Sequence, residues 1–218
     1  MIDRKNTYVF LTFAETPLRV LILFVAFAGM SSTIAQAQQW PFEYWHDGKI
    51  VLLSGDTLKG PVKYDLTQDL LQFSRGLNKT EAYSARKVLF FEIFDVTAKR
   101  YRQFFALPYE STPGYHAPVF FELLTEGNLT LLAREGLEIR SYTNPYYYGS
   151  YSRQELVYKY FFLDEKGNIT EFKGNKNDLL DLMGKKSETV EKYIKVNRLK
   201  FEDKSDFARI VAYYNSLF

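Results

Sequence analysis

Histidines and carboxylates are the residues of this chain most able to carry acid–base chemistry. The 218-residue sequence has only two histidines, His46 and His116, and they do not stand at metal-ligand spacing. Each lies in a segment rich in turn-forming residues, so we expect loop or turn positions for both. The sequence has no Gly-x-Ser-x-Gly elbow, phosphate-binding loop or Gly-x-Gly-x-x-Gly motif. We therefore predict no metal and no cofactor, with a catalytic histidine left as an alternative.

Two glutamates are the next candidates for catalysis. Glu92 and Glu122 each follow a Phe-Phe pair, which suggests equivalent places on two apolar strands. Carboxylate pairs hydrolyse glycosidic bonds, and burial among aromatic rings raises the pKa of a carboxyl as a general acid requires. A hydrolase acting on glycan with Glu92 and Glu122 is thus one alternative. The other interpretation is that each glutamate faces an edge or pairs with a nearby Lys or Arg.

Tyrosine is concentrated in one short segment. Tyrosine presents a flat apolar face and a hydroxyl, which suits sugar rings and protein surfaces. We predict a ligand-binding role for this segment; a long hairpin loop between strands ending near Ser141 and starting near Glu155 is the alternative. The five predicted contact residues are Tyr142, Tyr146, Tyr147, Tyr148 and Tyr151.

Composition excludes several classes of protein. With no cysteine the chain has no disulfide, thiolate nucleophile, Cys-bound zinc or iron–sulfur cluster. A net charge of +2 lacks the large positive excess that is typical of nucleic-acid-binding proteins. An aromatic fraction of 17% is too high for a disordered chain.

The N-terminal segment resembles a secretory signal peptide. Arg19 precedes the uncharged apolar run 20–30, and an Ala-x-Ala site follows at Ala35 and Ala37. A membrane-spanning helix needs about 20 apolar residues, so an uncleaved anchor is the weaker alternative. We predict a signal peptide over 1–37 that touches the membrane only transiently. This places the protein in the periplasm, at the outer membrane or outside a Gram-negative bacterium.

The elements that must position these residues are mainly strands. Over 38–174 short apolar runs alternate with Gly, Asp and Asn turns, which is typical of an antiparallel meander. Several of the runs are apolar on both faces, so we expect the middle strands to be covered on both sides. Over 175–218 the spacing of the apolar residues becomes that of a helix. We expect helices to start near Asn177, Ser187 and Asp203.

These patterns predict an α+β, mainly β, fold. We expect an antiparallel meander that forms a curved sheet, a sandwich or a partial barrel. Two or three C-terminal helices over 175–218 would pack on it. Whether the sheet closes stays open at this point.

The chain resembles a group of uncharacterised exported bacterial proteins. The resemblance implies a β-rich fold with a helical tail, and no activity comes with it. The residues that carry it cover most of the chain after the leader, namely 45–49, 55–60, 83–88, 190–194 and 212–215.

Together these observations favour a non-catalytic binding or structural module that is exported. Its partner would be a protein, glycan or lipid of the cell envelope, and not nucleic acid. The glycan hydrolase is one alternative, and a carrier of an apolar ligand within the curved sheet is the other.

Overall fold

The structure, a computed structural model, describes residues 40–76, 79–96, 98–112, 114–144 and 149–218. The predicted leader, with its cleavage site at Ala35 and Ala37, lies outside the described residues. Tyr146, Tyr147 and Tyr148 of the tyrosine segment also lie outside them.

Ten strands form a single antiparallel sheet, which confirms the predicted fold class. The order across the sheet is β10-β9-β8-β7-β6-β5-β1-β2-β3-β4, so most neighbours in space are neighbours along the chain. The sheet is curved and does not close. The strands are β1 (His46–Leu52), β2 (Thr57–Asp65), β3 (Leu70–Ser74), β4 (Thr80–Ser84), β5 (Val88–Asp95), β6 (Arg100–Thr112), β7 (Tyr115–Thr125), β8 (Thr130–Asn144), β9 (Gly149–Leu163) and β10 (Ile169–Phe172).

Three α-helices follow the last strand: α1 (Lys176–Leu182), α2 (Ser187–Asn197) and α3 (Lys204–Asn215). Asn175 caps α1, two residues before the predicted position, because its side chain accepts from two backbone N–H groups of the first turn. Asp203 caps α3 as predicted, accepting from the backbone N–H of Asp206 at 2.9 Å. Short 3-10 turns occur at Pro41–Glu43 and Gly184–Lys186.

The sheet curls so that distant strands share one apolar cluster. The ring of Tyr64 on β2 contacts Phe104 on β6 and Phe120 on β7, with centroids 5.6 Å apart in both pairs. Because three strands separate β2 from β7 in the sheet, this contact requires a concave face. Side chains with no exposure, among them Ile50 and Phe91, fill that face. An apolar ligand carried there would have to displace this core.

The helices cover the same face farther along the sheet. Their buried residues pack with Leu131 of β8 and with partly buried side chains of β7, β9 and β10. On β7, Phe120 belongs to the first cluster and Leu124 to the helix-covered cluster. Glu122 lies between these two on the same face, because side chains alternate along a strand. Glu122 therefore stands at the junction of the two clusters.

Two-sided burial is confined to part of the sheet. On β7 three consecutive residues, Phe120, Phe121 and Glu122, are buried, since Phe121 packs into a third cluster on the convex face. On β5 the expectation of two covered faces is wrong, because Leu89 is 49% exposed. A register shift against β1 puts Leu89 outside the regular alternation.

The longest strands extend past the sheet as a two-stranded ribbon. β8 and β9 pair continuously from Thr130 with Leu163 to Asn144 with Gly149. β7 pairs with β8 only as far as Ala133, and β10 pairs with β9 only from Tyr160. Residues 134–144 and 149–159, here called the arm, are thus paired only with each other. Among the described residues, no helix is long and apolar enough to cross a membrane.

Candidate functional site

Four charged side chains form a buried network at the junction of the two apolar clusters. Arg102 makes a bidentate contact with Glu122, with N–O distances of 2.9 and 2.7 Å, and a further bond to Glu135 at 2.5 Å. Lys204 Nζ lies 3.1 Å from Glu122 and 3.3 Å from Glu135. Each carboxylate therefore contacts both cations. The exposed fractions of the side chains are 8% for Arg102, 3% for Glu122, 6% for Glu135 and 16% for Lys204.

Strand register brings three of these residues together. Glu122 lies opposite Phe104 on β6, and Arg102 is two residues from Phe104 on the same face. On the other side Glu122 lies opposite Ala133 of β8, and Glu135 is two residues farther along that strand. The three side chains thus project from neighbouring strands toward the same place.

The start of α3 supplies the fourth member of the network. Lys204 is the first residue of the helix, where the macrodipole disfavours a positive charge. The carboxylates of Glu122 and Glu135 offset this cost. Through the same contacts Lys204 ties the first turn of α3 to the sheet.

The formal charges of the network balance, and the pKa values of Glu122 and Arg102 both shift toward the charged form. Burial raises the pKa of Glu122, but hydrogen bonds and charge from Arg102, with Lys204 adding, outweigh it and leave the pKa below its usual value. Burial likewise disfavours the charged form of Arg102, but bonds and charge from Glu122 and then Glu135 raise its pKa above the ordinary value. Two cations face two carboxylates, so the sum of charge is zero.

A cavity of 560 Å³, here called the cleft, lies against this network. Its floor contains Arg102, Glu135 and Lys204 together with Tyr158 of β9. Lys204 Nζ stands 4.7 Å from the centroid of the Tyr158 ring, within cation–π range. Burial, with the charge of Glu135 adding, raises the pKa of Tyr158 to about 12, so its hydroxyl keeps its proton at neutral pH. The walls come from Phe42, Asp95, Arg100, Leu156, Glu202 and Ser205.

A smaller cavity of 260 Å³ shares part of its lining with the cleft. The two share Phe42, Asp95 and Arg102, and the smaller one adds Tyr44 and Trp45. Phe42 is buried, while Tyr44 is 50% and Trp45 44% exposed. The pair of cavities therefore combines aromatic walls with a charged floor.

Both predicted histidines lie on strands rather than in loops. His46 opens β1 and lines the smaller cavity, with Nδ1 3.2 Å from the carbonyl oxygen of Phe94. Since a carbonyl can only accept, Nδ1 carries the proton of this bond. His116, on β7, is 68% exposed and lies 3.7 Å from Glu110. The structure does not bring His116 together with Glu122 or Arg102.

The structure does not bring Glu92 and Glu122 together. Glu92 lies opposite Lys49 on β1 and forms an ion pair with it at 3.0 Å. Its neighbour Phe91 points to the concave face and stacks on Phe104, so Glu92 projects from the convex face. Glu122 projects from the concave face, and its pKa is lowered rather than raised. The expectation of a paired-carboxylate site is corrected on both points.

Tyr142 and Tyr151 of the tyrosine segment lie on the strands of the arm and not in a long loop. Tyr142 and Tyr151 are directly paired across β8 and β9, and their rings stack with centroids 5.5 Å apart. The Tyr142 hydroxyl donates to Glu155, and the guanidinium of Arg153 lies 5.7 Å from the Tyr142 ring. Strand pairing continues to Asn144 and Gly149.

Sequence reasoning found Glu122 but missed its partners. Arg102, Glu135 and Lys204 come from two strands and a helix, and their convergence follows from register. One signal was present: Glu122 sits in the otherwise apolar run 119–124, and a charge at a buried position needs a partner. Pairing every such charge with an opposite one would have suggested a buried network.

Comparison with known proteins finds no matching family model, no matching curated protein and no matching solved structure. The geometry of the cleft and the sequence motifs are therefore the features from which a function can be inferred.

Proposed function

We propose that the protein is an exported, non-catalytic binding module of the cell envelope, and that the cleft is its ligand site. The observation that carries this proposal is the neutral four-charge network, of which Arg102, Glu135 and Lys204 line the cleft. Ion pairs that already satisfy one another hold the floor rigid. Their remaining lone pairs and N–H groups can bond a polar ligand without reorganisation.

The same network argues against acid catalysis at Glu122. A general acid needs a proton near neutral pH, and a raised pKa is how a buried carboxyl retains one. Arg102 and Lys204 instead hold Glu122 ionised. A hydrolase would have to disrupt two ion pairs before Glu122 could take up a proton.

Export rests on the leader sequence. The charge at Arg19, the short apolar run after it and the small residues Ala35 and Ala37 are together typical of cleaved signal peptides. Cell fractionation with N-terminal mass spectrometry tests this part. We expect an envelope or secreted product that begins at Gln38; a full-length cytoplasmic product would contradict it.

Blocking the cleft tests the binding function. Ser205 is exposed, lines the cleft and is the second residue of α3, so Ser205→Trp narrows the cavity from its wall. Glu188, the exposed second residue of α2, gives the matched control Glu188→Trp. In a thermal-shift screen of sugars, amino acids, peptides and nucleotides, we expect a ligand that raises the Tm of the parent and of Glu188→Trp. Ser205→Trp should abolish that shift, and a shift that Ser205→Trp leaves intact would contradict the proposal.

The outer part of the arm is a second candidate contact site, for a glycan or protein surface. Tyr151 is 58% exposed and stacks on Tyr142, so the two rings offer a flat aromatic face. Tyr146, Tyr147 and Tyr148 belong to the same proposal through the sequence. Binding that Tyr151→Ala weakens and Ser205→Trp does not would assign the contact to the arm.

A further inference from the structure

The walls of the cleft carry charges of both signs in nearly equal number. Its lining includes four carboxylates and three cations, and Glu122 lies behind the floor. Most of the floor charges are already paired with one another at 2.5–3.3 Å. The lining charges are Asp95, Glu135, Glu202, Asp203, Arg100, Arg102 and Lys204.

This mixture disfavours a charged ligand. An anion that approaches Arg102 or Lys204 also meets Glu135 next to both cations. A cation that approaches Glu135 meets the same two cations. A charged ligand would lose its hydration and gain little net attraction in return. A neutral ligand meets no such cost.

The polar groups fit hydroxyls that both donate and accept. A sugar hydroxyl can donate to a carboxylate and accept from a guanidinium or ammonium group at the same time. Carboxylates next to cations on one floor therefore suit the adjacent hydroxyls of a sugar ring. The Tyr158 hydroxyl, which keeps its proton, adds another group of the same kind.

Aromatic rings stand in both cavities. Phe42 and Tyr158 line the cleft, while Tyr44 and Trp45 line the smaller cavity, with Phe42 common to the two. The apolar C–H faces of sugar rings pack against such rings, and a few placed polar groups then fix orientation. Two cavities that share Phe42 and have aromatic walls match two consecutive sugar units.

From this arrangement we infer that the cleft and the smaller cavity together bind a neutral oligosaccharide. One sugar unit packs against Phe42 and Tyr158 over the charged floor, and the next packs against Trp45. This inference rests on the proposed function, because it names the ligand class of the same site.

Isothermal titration with matched tetrasaccharides tests the inference. The neutral probes are cellotetraose, maltotetraose, mannotetraose and N-acetylated chitotetraose. The fully deacetylated chitotetraose is cationic and tetragalacturonate is anionic. We expect at least one neutral probe to bind with Kd below about 1 mM, and each charged probe to bind at least about tenfold more weakly.

Three variants test where on the protein the neutral probe binds. Trp45→Ala removes the exposed ring of the smaller cavity. We expect it to weaken the binding of the neutral probe at least about tenfold, as for an aromatic anchor. Trp45→Phe keeps a ring and should lose less. Tyr115→Ala is the matched control, because Tyr115 is 55% exposed and lines neither cavity, and it should bind like the parent.

The contradicting results separate the two proposals. Preference for a charged probe, no binding of any neutral probe, or binding unaffected by Trp45→Ala would each overturn the oligosaccharide inference. If a ligand of another class then shows a thermal shift that Ser205→Trp abolishes, the proposed function stands. If no ligand shows such a shift, both fail.

Discussion

Two regions of this molecule use the same three residue types in opposite surroundings. The network under the cleft joins Arg102 and Glu122 and lies beside Tyr158. The second region is the outer part of the arm, where Arg153 and Glu155 join Tyr142. The first network is buried at the junction of two apolar clusters. In the second, Arg153 is 62% exposed.

The two glutamates show what burial changes. The pKa of Glu155 is lowered by the Tyr142 hydrogen bond and then by Arg153. Burial raises the pKa of Glu122, but its contacts with Arg102 and Lys204 lower the pKa by more. The Glu155 side chain is 17% exposed, against 3% for Glu122. Removing a partner from Glu155 leaves a charge that solvent can reach, whereas removing one from Glu122 leaves a charge without solvation. The comparison predicts unequal effects from matched substitutions.

The largest expected effect comes from Arg102→Met. This change leaves Glu122 and Glu135 buried with Lys204 as their only cation in the network. We expect the free energy of unfolding to fall by about 3–5 kcal/mol in urea titrations at pH 7, which is typical for a broken buried pair.

A compensating variant separates lost charge balance from lost packing. Arg102→Met combined with Glu122→Leu removes a cation and a carboxylate, and the remaining Glu135–Lys204 pair is neutral. We expect the double variant to recover much of the lost stability, since apolar replacement of a buried ion pair is often near neutral. Additive losses in the double variant would contradict the account.

Lys204→Met should have an intermediate effect. Lys204 is the more exposed cation, and Arg102 still contacts both carboxylates after the change. We expect a loss of about 1–3 kcal/mol by urea titration, the range for leaving buried polar groups without a partner. The loss should also free the start of α3, seen as faster amide hydrogen exchange in residues 205–208. Unchanged exchange there would show that Lys204 does not hold the helix.

The pH dependence of stability should show a smaller effect with a definite sign. A carboxyl whose pKa is lower in the folded state stabilises the fold above its unfolded pKa and loses this contribution as pH falls through the folded pKa. The parent should therefore lose stability as pH falls below about 4.5, and Glu122→Gln should lack this part of the loss. Urea titrations from pH 7 to pH 3 measure both. A parent that gains stability on acidification would point to a raised pKa instead.

The smallest effect is expected on the arm. Arg153→Met removes the exposed counterpart of Arg102, and we expect no measurable change in the urea midpoint at pH 7. A fall in the free energy of unfolding comparable to that of Arg102→Met would contradict the comparison. It would assign the outer part of the arm a role in stability.

Much of the fold could be predicted because it depends on local patterns. The hairpin turns, the change to a helical period after β10 and the Asp203 cap are all short-range signals. The outer end of the arm, after Ser141 and before Glu155, was expected as a loop, because its residues are mostly exposed and lack the apolar alternation of a half-buried strand. β4 was also missed, since its five residues carry little apolar character.

The candidate site could be predicted only in part. Glu122 stands out in an apolar strand, but its partners depend on the register of β6 and β8 and on where α3 begins. The sequence analysis paired Glu122 with Glu92 because both follow Phe-Phe. Register then decides the face, and Glu92 pairs with Phe104's neighbour Gln103 rather than with Phe104. A shift of one residue thus separates the two glutamates onto opposite faces.

The ionisation of Glu122 tests the central claim most directly. A ¹³C NMR titration of the glutamate carboxyl carbons, with the Glu122 signal assigned by its loss in Glu122→Gln, measures the pKa in the folded protein. We predict that Glu122 titrates below the ordinary value of 4.5 and that Arg102→Met moves its pKa upward. A Glu122 pKa above 4.5 in the parent would contradict a neutral binding floor and would favour an acid catalyst at this position.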